Sequence, residues 1–274
     1  MMVANRLDGT CWAGPDLVMA FQPIVDITAQ TVFGYEALVR GVNGEGAETV
    51  LSHVTPANFM AFEAACHSAA MASAGRLGLD RTHHLSLNFL PSGLAAENNS
   101  VSPALAMANA SAIGTDQLIV EITEAERVTQ PVRIAALFAD YRRLGLKTAI
   151  DDFGVGYAGL GLLADFQPDY IKIAMDLVRD VHESRARASI TRAILQAARD
   201  LSIQVIAEGV ESPSEVAALR AQGVTLFQGF LFARPTVDRL IPPSRICFPA
   251  ARSVRRLARP PRPTLAGAQP LPQG

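Results

Sequence analysis

The chain has 274 residues, of which 49% are hydrophobic and 18% charged, so it can build a large core and does not have the composition of a disordered protein. Its net charge of −2 argues against a protein that coats DNA or RNA polymers. The three cysteines, Cys11, Cys66 and Cys247, form no CxxC pair, which excludes a disulfide scaffold and a zinc finger. No stretch approaches the ~20 apolar residues that span a bilayer and no leader pattern opens the chain, so we expect a cytoplasmic protein without a membrane span.

Eight short apolar segments that favour β-strand follow one another along the chain. They are residues 17–27, 32–40, 84–90, 117–123, 146–154, 170–175, 203–210 and 225–232. Helical patterns lie between most of them, at residues 57–77, 131–144, 184–201 and 213–221. This alternation predicts βαβ units and a mainly parallel sheet, and eight strands in about 220 residues match the size of a (β/α)8 barrel of TIM type.

The start of this predicted barrel is irregular. Only Thr28–Thr31 separate the first two strand segments, which is too short for a crossover helix. We therefore predict that these two strands pair in antiparallel orientation. An open, doubly wound α/β sheet is the alternative that the pattern leaves open.

The two ends of the chain differ from the barrel segment. We assign residues 1–16 to an N-terminal extension, 17–240 to the barrel, and 241–274 to a tail rich in proline and arginine, which we expect to be largely disordered from about residue 252. The tail carries six arginines and no acidic residue, so it suits either contact with an anionic partner or a solvated basic segment. Only about 16 residues precede the barrel, so we expect no sensor domain there, and an unidentified sensor or protein partner stays open.

Most strand segments carry a polar residue at or near the C-terminal end. These residues are Glu36, Asn88, Glu121, Asp151 with Asp152, Lys172, Glu208 and Gln228. A polar residue in an apolar strand costs free energy unless it is paired or liganded. Because the C-terminal strand ends of a barrel meet at one face, we expect these side chains to form a single site there.

Five carboxylates are predicted at this face, on Glu36, Glu121, Asp151, Asp152 and Glu208. They would repel one another strongly unless divalent cations lay between them. Oxygen ligands without His or Cys favour Mg²⁺ or Mn²⁺, with Ca²⁺ as an inhibitory mimic. Adjacent aspartates suit a two-metal centre for phosphodiester hydrolysis. Lys172 and Arg40 are the candidate cationic contacts for an anionic substrate.

The residues after the paired aspartates match a second motif, the GxGxxG of dinucleotide-binding loops, at Gly154, Gly156 and Gly159. Asp151 and Asp152 directly before it would repel a pyrophosphate. We therefore favour a mobile glycine-rich loop beside the site over a dinucleotide site.

The motifs together resemble those of the EAL-domain family, bacterial phosphodiesterases that act on cyclic di-GMP. The family signature Glu36-Ala37-Leu38 stands inside YEALVRG. Further matching blocks are NFLP from Asn88, VEITE at 120–124, DDFGVGY at 151–157, PDYIKI at 168–173, AEGVE at 207–211 and FQGFLFARP at 227–235. The resemblance runs from about Met19 to Pro235. The sequence of these blocks is similar to that of the EAL part of BLUF–EAL proteins.

The resemblance implies a barrel with an antiparallel early strand that opens cyclic di-GMP to linear 5′-pGpG, with water activated between two cations. It implies one cation on residues like Glu36, Asn88, Glu121 and Asp151, and a second on residues like Asp151, Asp152 and Glu208. It implies catalytic roles for Lys172, Glu208, Gln228 and Glu36, and substrate contacts at Gln22, Leu38, Arg40 and Pro235. It also implies supporting roles for Glu124, which braces the loop at 152–160, and for Glu211. Family members commonly form homodimers.

One position departs from the family pattern. Ala174 stands where the family usually has an aspartate beside the substrate, two residues after the lysine. Every position that resembles a direct metal ligand is retained, so we predict an enzyme whose activity Ala174 attenuates. A receptor for cyclic di-GMP or a protein-interaction module is the alternative, and hydrolysis of another phosphodiester, such as the linear dinucleotide, stays open.

Overall fold

The computed structural model describes residues 12, 14–89, 113–123, 131–156 and 159–249. The strands are β1 (Leu17–Asp26), β2 (Thr31–Gly41), β3 (His84–Phe89), β4 (Leu118–Thr123), β5 (Lys147–Phe153), β6 (Tyr170–Ile173), β7 (Gln204–Ala207), β8 (Leu226–Phe227) and β9 (Thr236–Val237). The α-helices are α1 (Ala47–Leu51), α2 (Phe59–Arg76), α3 (Pro131–Arg143), α4 (Gly159–Asp165), α5 (Met175–Val178), α6 (Arg185–Asp200) and α7 (Pro213–Arg220). Short 3₁₀ turns lie at Thr115–Gln117 and Pro243–Arg245.

The first eight strands form a closed barrel. Strands β2 to β8 pair consecutively and in parallel, and β1 closes the ring by pairing in antiparallel orientation with both β2 and β8. The predicted TIM-type barrel with an antiparallel early strand is therefore confirmed, and the open doubly wound sheet is excluded. The two-residue strand β9 adds to β1 alone.

Local sequence signals fix several helix ends. The Ser212 side chain accepts a hydrogen bond from the backbone N–H of Glu215, and the Glu215 carboxylate accepts one from the N–H of Ser212, so α7 begins with a complete capping box followed by Pro213. Ser184 caps α6 with a single hydrogen bond, which its side chain accepts from the backbone N–H of Arg187. Past the end of α3, Gly145 has a φ of 86°, a left-handed conformation that glycine adopts without strain.

The eighth strand is shorter than the sequence predicts. The apolar segment 225–232 contains only the two strand residues of β8, because the chain turns away at Gly229. A Cβ at Gly229 would lie 2.1 Å from the carbonyl oxygen of Val210, so only glycine allows this close approach of two backbones. The short helices α1, α4 and α5 were not predicted, since four to seven residues are too few to show a helical period.

The described part of the tail packs on the barrel. The Tyr35 hydroxyl donates a hydrogen bond of 2.8 Å to the carbonyl of Ile241, and Ile246 is buried. Residues 250–274, and all but Trp12, Gly14, Pro15 and Asp16 of the N-terminal extension, lie outside the described residues, so the domain bounds stay predictions. Among the helices that the structure describes, none combines the length and the hydropathy needed to cross a membrane.

Candidate active site

The candidate site is a layer of polar side chains inside the barrel. It lies next to an apolar layer, on the side of the carboxyl ends of the parallel strands. That apolar layer is a separate cluster made of Ile24, Ile119, Ala149, Tyr170, Ile206 and Leu226. Successive strand residues point to opposite faces, so a residue two positions further along points the same way. Moving two positions toward the carboxyl ends of the parallel strands gives Glu121, Asp151, Lys172, Glu208 and Gln228, and on antiparallel β1 the matching residue is Gln22. The period of a β-strand thus brings these polar residues to one face.

Lys172 lies at the centre of the site and is fully buried. Its Nζ atom lies 2.8 Å from Glu208 Oε1, 2.9 Å from Glu121 Oε2, 3.1 Å from Asp151 Oδ1 and 3.5 Å from Glu36 Oε2. Burial opposes the charge of the ammonium group, but the surrounding carboxylates outweigh it and raise the pKa of Lys172 well above its ordinary value. The carboxylates therefore favour the charged form of this buried lysine.

One ammonium group cannot balance the carboxylates around it. Burial raises the pKa of Glu121 to about 8 and raises the pKa of Glu208 well above its usual range. Burial and the neighbouring charge of Asp151 also raise the pKa of Asp152. For Asp151, burial is outweighed by Lys172, which lowers the pKa of that carboxyl group. Protons or further cations would therefore stabilise these crowded carboxyl groups.

The acidic side chains form two groups with the spacing of metal ligands. The first contains Glu36, Glu121 and Asp151, and the second contains Asp151, Asp152 and Glu208. Within each group the carboxylate oxygens lie within 4.8 Å of one another, and Asp151 belongs to both. Asp151 Oδ1 is buried and accepts no well-aligned hydrogen bond from the described residues. This all-oxygen donor set fits two hard divalent cations that share one carboxylate.

Three side-chain amides hold Glu36 and its neighbours in place. Asn88 Nδ2 donates to Glu36 Oε1 at 2.8 Å, and Gln228 Nε2 donates to Glu36 Oε2 at 2.6 Å. Gln228 Nε2 also lies 3.2 Å from Gln22 Oε1, and Gln22 Nε2 donates to the carbonyl of Ala233. Both oxygens of Glu36 are thus oriented by neutral donors, which preorganises the carboxylate as a ligand.

A cleft of about 170 Å³ opens beside these groups. Its lining includes six predicted site residues, namely Gln22, Glu36, Leu38, Glu208, Glu211 and Gln228. Sequence reasoning missed the apolar side of the cleft, where Met175 is 39% exposed and Phe230 is 46% exposed. The Arg234 guanidinium lies 4.1 Å from the centre of the Phe230 ring. Phe230 stands inside the FQGFLFARP block, but the sequence does not distinguish a cleft residue there from a packing residue.

Most of the remaining predicted residues lie further out, and Glu211 lies where the cleft opens. Arg40 follows Leu38 by two positions on β2, so it continues along the same side of the strand, and its Nη1 donates to the carbonyl of Val39 at 2.6 Å. Pro235 is half-buried just before β9. The carboxylate of Glu211 lies 3.5 Å from Arg179 at the edge of the cleft. Glu124 lies outside the described residues.

Sequence reasoning also missed a buried hydroxyl behind the site. Ser86 is fully buried on β3 and its Oγ donates to Glu121 Oε1, the oxygen that Lys172 does not contact. Ser86 stands two positions before Asn88, so the strand period places both on the same face. That period was the signal that could have identified it.

The comparisons with known proteins agree with this geometry. The model of the EAL domain matches residues 5–235. The antirepressor BluF of Escherichia coli K12, described as blue light- and temperature-regulated, is 35% identical over 219 residues, which are 80% of this chain and 54% of BluF. The cyclic di-GMP phosphodiesterase PdeR of the same organism is 42% identical over 116 residues, 42% of this chain and 18% of PdeR. The chain therefore spans about half or less of these two relatives.

Solved structures show the same fold. A standalone EAL protein from Vibrio cholerae O395 in its c-di-GMP-bound form has a TM-score of 0.79 and 43% identity, covering 86% of this chain and 97% of that protein. A manganese and cyclic di-GMP complex of BlrP1 from Klebsiella pneumoniae has a TM-score of 0.77 and 35% identity, covering 86% of this chain and 59% of BlrP1. With the barrel, the acidic strand ends and these matches in agreement, the chain belongs to the EAL-domain family.

Proposed function

We propose that this chain hydrolyses cyclic di-GMP to linear 5′-pGpG in a reaction that depends on two divalent cations. The observation that carries the proposal is the pair of acidic groups that share Asp151 beside the buried Lys172 and the cleft. PdeR, a relative over part of the chain, is named as an enzyme with this substrate, and the BlrP1 complex contains both manganese and cyclic di-GMP.

The cations would be held by Glu36, Asn88, Glu121 and Asp151 on one side and by Asp151, Asp152 and Glu208 on the other. When bound, Mg²⁺ or Mn²⁺ would lower the pKa of a coordinated water and neutralise charge on the phosphodiester. Ca²⁺, with longer and looser coordination, would serve as an inhibitory substitute. This assignment is supported by the oxygen-only donors and by the membership of Asp151 in both acidic groups.

The side chains of the site have separate proposed roles in the reaction. Lys172, whose charged form the neighbouring carboxylates favour, would stabilise negative charge that develops on the phosphoryl oxygens. Gln228, already a donor to Glu36, would orient the attacking water, and Glu208 would help to hold that water. Arg40 would bind a substrate phosphate from further along β2. Gln22, Leu38 and Pro235 would contact the rest of the substrate.

A second function has one observation in its favour. Ala174 replaces the usual aspartate of the family, and it is only 2% exposed at the end of β6, on the same side of the chain as Lys172. BluF, another relative, is named as an antirepressor. A chain whose site is weakened could bind cyclic di-GMP as a receptor, or act through protein contacts, without releasing product.

The Ala174→Asp variant tests whether the alanine at this position lowers the rate of hydrolysis. The backbone N–H of Ala174 donates to the carbonyl of Phe153, so residue 174 lies beside the end of β5 that carries Asp151 and Asp152. An added carboxylate would therefore strengthen the site for cations, and we expect kcat to rise on the order of tenfold. Ala174→Asn is the matched control, since it adds the same shape without the charge. An equal rate for all three proteins would show that alanine is sufficient here.

We also propose, on the resemblance, that the protein acts as a homodimer and that cyclic di-GMP is its ligand. From composition we propose that it lies in the cytoplasm and does not bind DNA or RNA polymers.

The proposed function is tested by titrating the metal-free protein with Mn²⁺. The protein is stripped with EDTA and titrated by calorimetry, and the rate of cyclic di-GMP hydrolysis is followed at each step. We expect two Mn²⁺ ions per chain and a rate that follows occupancy. Binding of cyclic di-GMP without hydrolysis at full occupancy would support the receptor function instead.

A further inference from the structure

A buried histidine behind the site is not used by the proposed reaction. His67 lies on α2, is only 2% exposed, and is 3.1 Å through its Nε2 atom from the backbone carbonyl of Asn88. Its ring also packs on Phe89, with the ring centres 4.2 Å apart. One side chain therefore contacts both of the last two residues of β3.

The carbonyl of Asn88 fixes the direction of this hydrogen bond. Burial lowers the pKa of His67 to about 4, although the bond to Asn88 opposes that shift, so the ring is neutral near pH 7. A carbonyl oxygen only accepts, so Nε2 carries the hydrogen and donates it. Burying an imidazole costs free energy that an apolar side chain would not, and this donor bond is what offsets that cost.

Asn88 needs such a support more than its neighbours do. Glu121 and Lys172 are enclosed by the barrel, whereas Asn88 is exposed at the end of its strand. Its side chain is oriented by the bond from Nδ2 to Glu36, which leaves Oδ1 as the donor atom for a cation. The position of that atom depends on the backbone of Asn88, which is paired with Glu121 of β4 and whose carbonyl is held from behind by His67.

We propose that His67 is a positioning residue that holds the metal ligand Asn88 in place from behind, and so raises the affinity of the site for divalent cations. The proposal rests on the proposed function, because it takes Asn88 as a ligand. Removing a group that orients a metal ligand in this way typically lowers metal affinity by about 10- to 100-fold.

The test compares Mn²⁺ affinity, measured by calorimetry on the EDTA-treated full chain, in wild-type protein and three His67 variants. His67→Gln places its amide nitrogen where Nε2 lies, so we expect an affinity within about threefold of wild type. His67→Leu removes the donor and should weaken the affinity ~10-fold or more. His67→Asn keeps an amide but places its nitrogen near the present Nδ1, too far from the carbonyl to donate to it. We therefore expect the same loss of Mn²⁺ affinity as in His67→Leu. This variant replaces His67→Leu in the test if the leucine variant does not fold.

A structural control separates positioning from general loosening of α2. Met71 is buried one turn along the same helix, and Met71→Ala should lower the melting temperature while leaving Mn²⁺ affinity unchanged. Loss of affinity in Met71→Ala equal to that in His67→Leu, or no loss in His67→Leu and His67→Asn, would overturn the proposal. A wild-type chain that binds no Mn²⁺ would instead overturn the proposed function on which it rests.

Discussion

Substitution of Asp151 by asparagine is expected to lower the kcat for cyclic di-GMP by on the order of 10³-fold. Asp151 is the carboxylate that both acidic groups share, and the two groups contain no other residue in common. Removing its charge would weaken both cation sites together, and losing about 4 kcal/mol of transition-state stabilisation corresponds to that factor. The measurement is a steady-state rate at saturating Mn²⁺, with cyclic di-GMP binding measured separately.

The control for this variant is Asp200→Asn, the same chemical change on an exposed residue at the end of α6, where Asp200 accepts a hydrogen bond from Gln196. We expect its rate to match that of wild type. A rate for Asp151→Asn within tenfold of wild type would show that the shared carboxylate is not a ligand in the reaction.

Substitution of Lys172 by methionine is expected to have the largest effect on stability. The ammonium group is within 3.5 Å of four carboxylates, and it is fully buried. Breaking a buried ion cluster by removing one partner typically costs about 3–5 kcal/mol. We therefore expect a loss of this size in the free energy of unfolding in EDTA, measured by urea denaturation, together with a loss of turnover.

Divalent cations should partly reverse the stability loss in this variant. Mn²⁺ would neutralise the carboxylates that Lys172 no longer contacts, so the gain in melting temperature on adding Mn²⁺ should be larger for Lys172→Met than for wild type. Lys147→Met is the matched control, because Lys147 is half-exposed and its pair with Asp169 at 3.4 Å contributes less than about 1 kcal/mol. Equal stability of Lys172→Met and wild type in EDTA would contradict the central role given to this lysine.

The period of the strands explains why much of the site could be predicted from sequence. Polar residues such as Glu121 and Lys172 stand in short apolar runs, and the closed barrel of parallel strands brings the ends of those runs to one face. The antiparallel start followed from the short connection at Thr28–Thr31, which the pairing of β1 with β2 confirms. These features are local, so one sequence is enough to identify them.

The features that were missed depend on contacts between distant segments. His67 supports Asn88 from a helix 21 residues earlier in the chain, and nothing in the pattern of α2 distinguishes it from a core residue. Phe230 lines the cleft because Gly229 turns the chain against Val210, which shortens β8. Backbone approaches of this kind are decided by tertiary packing, so hydrophobic pattern alone predicts a longer strand there.

The most direct test of the account is a timed incubation of the purified protein with cyclic di-GMP and Mg²⁺ or Mn²⁺, with the products separated by chromatography. Glu36→Ala, which removes a predicted ligand held by Asn88 and Gln228, is run in parallel. The account predicts that linear 5′-pGpG accumulates with wild type and is absent with Glu36→Ala and in EDTA. Equal product from Glu36→Ala would contradict the site assignment, and no product from a wild-type chain that still binds cyclic di-GMP would contradict the enzymatic function.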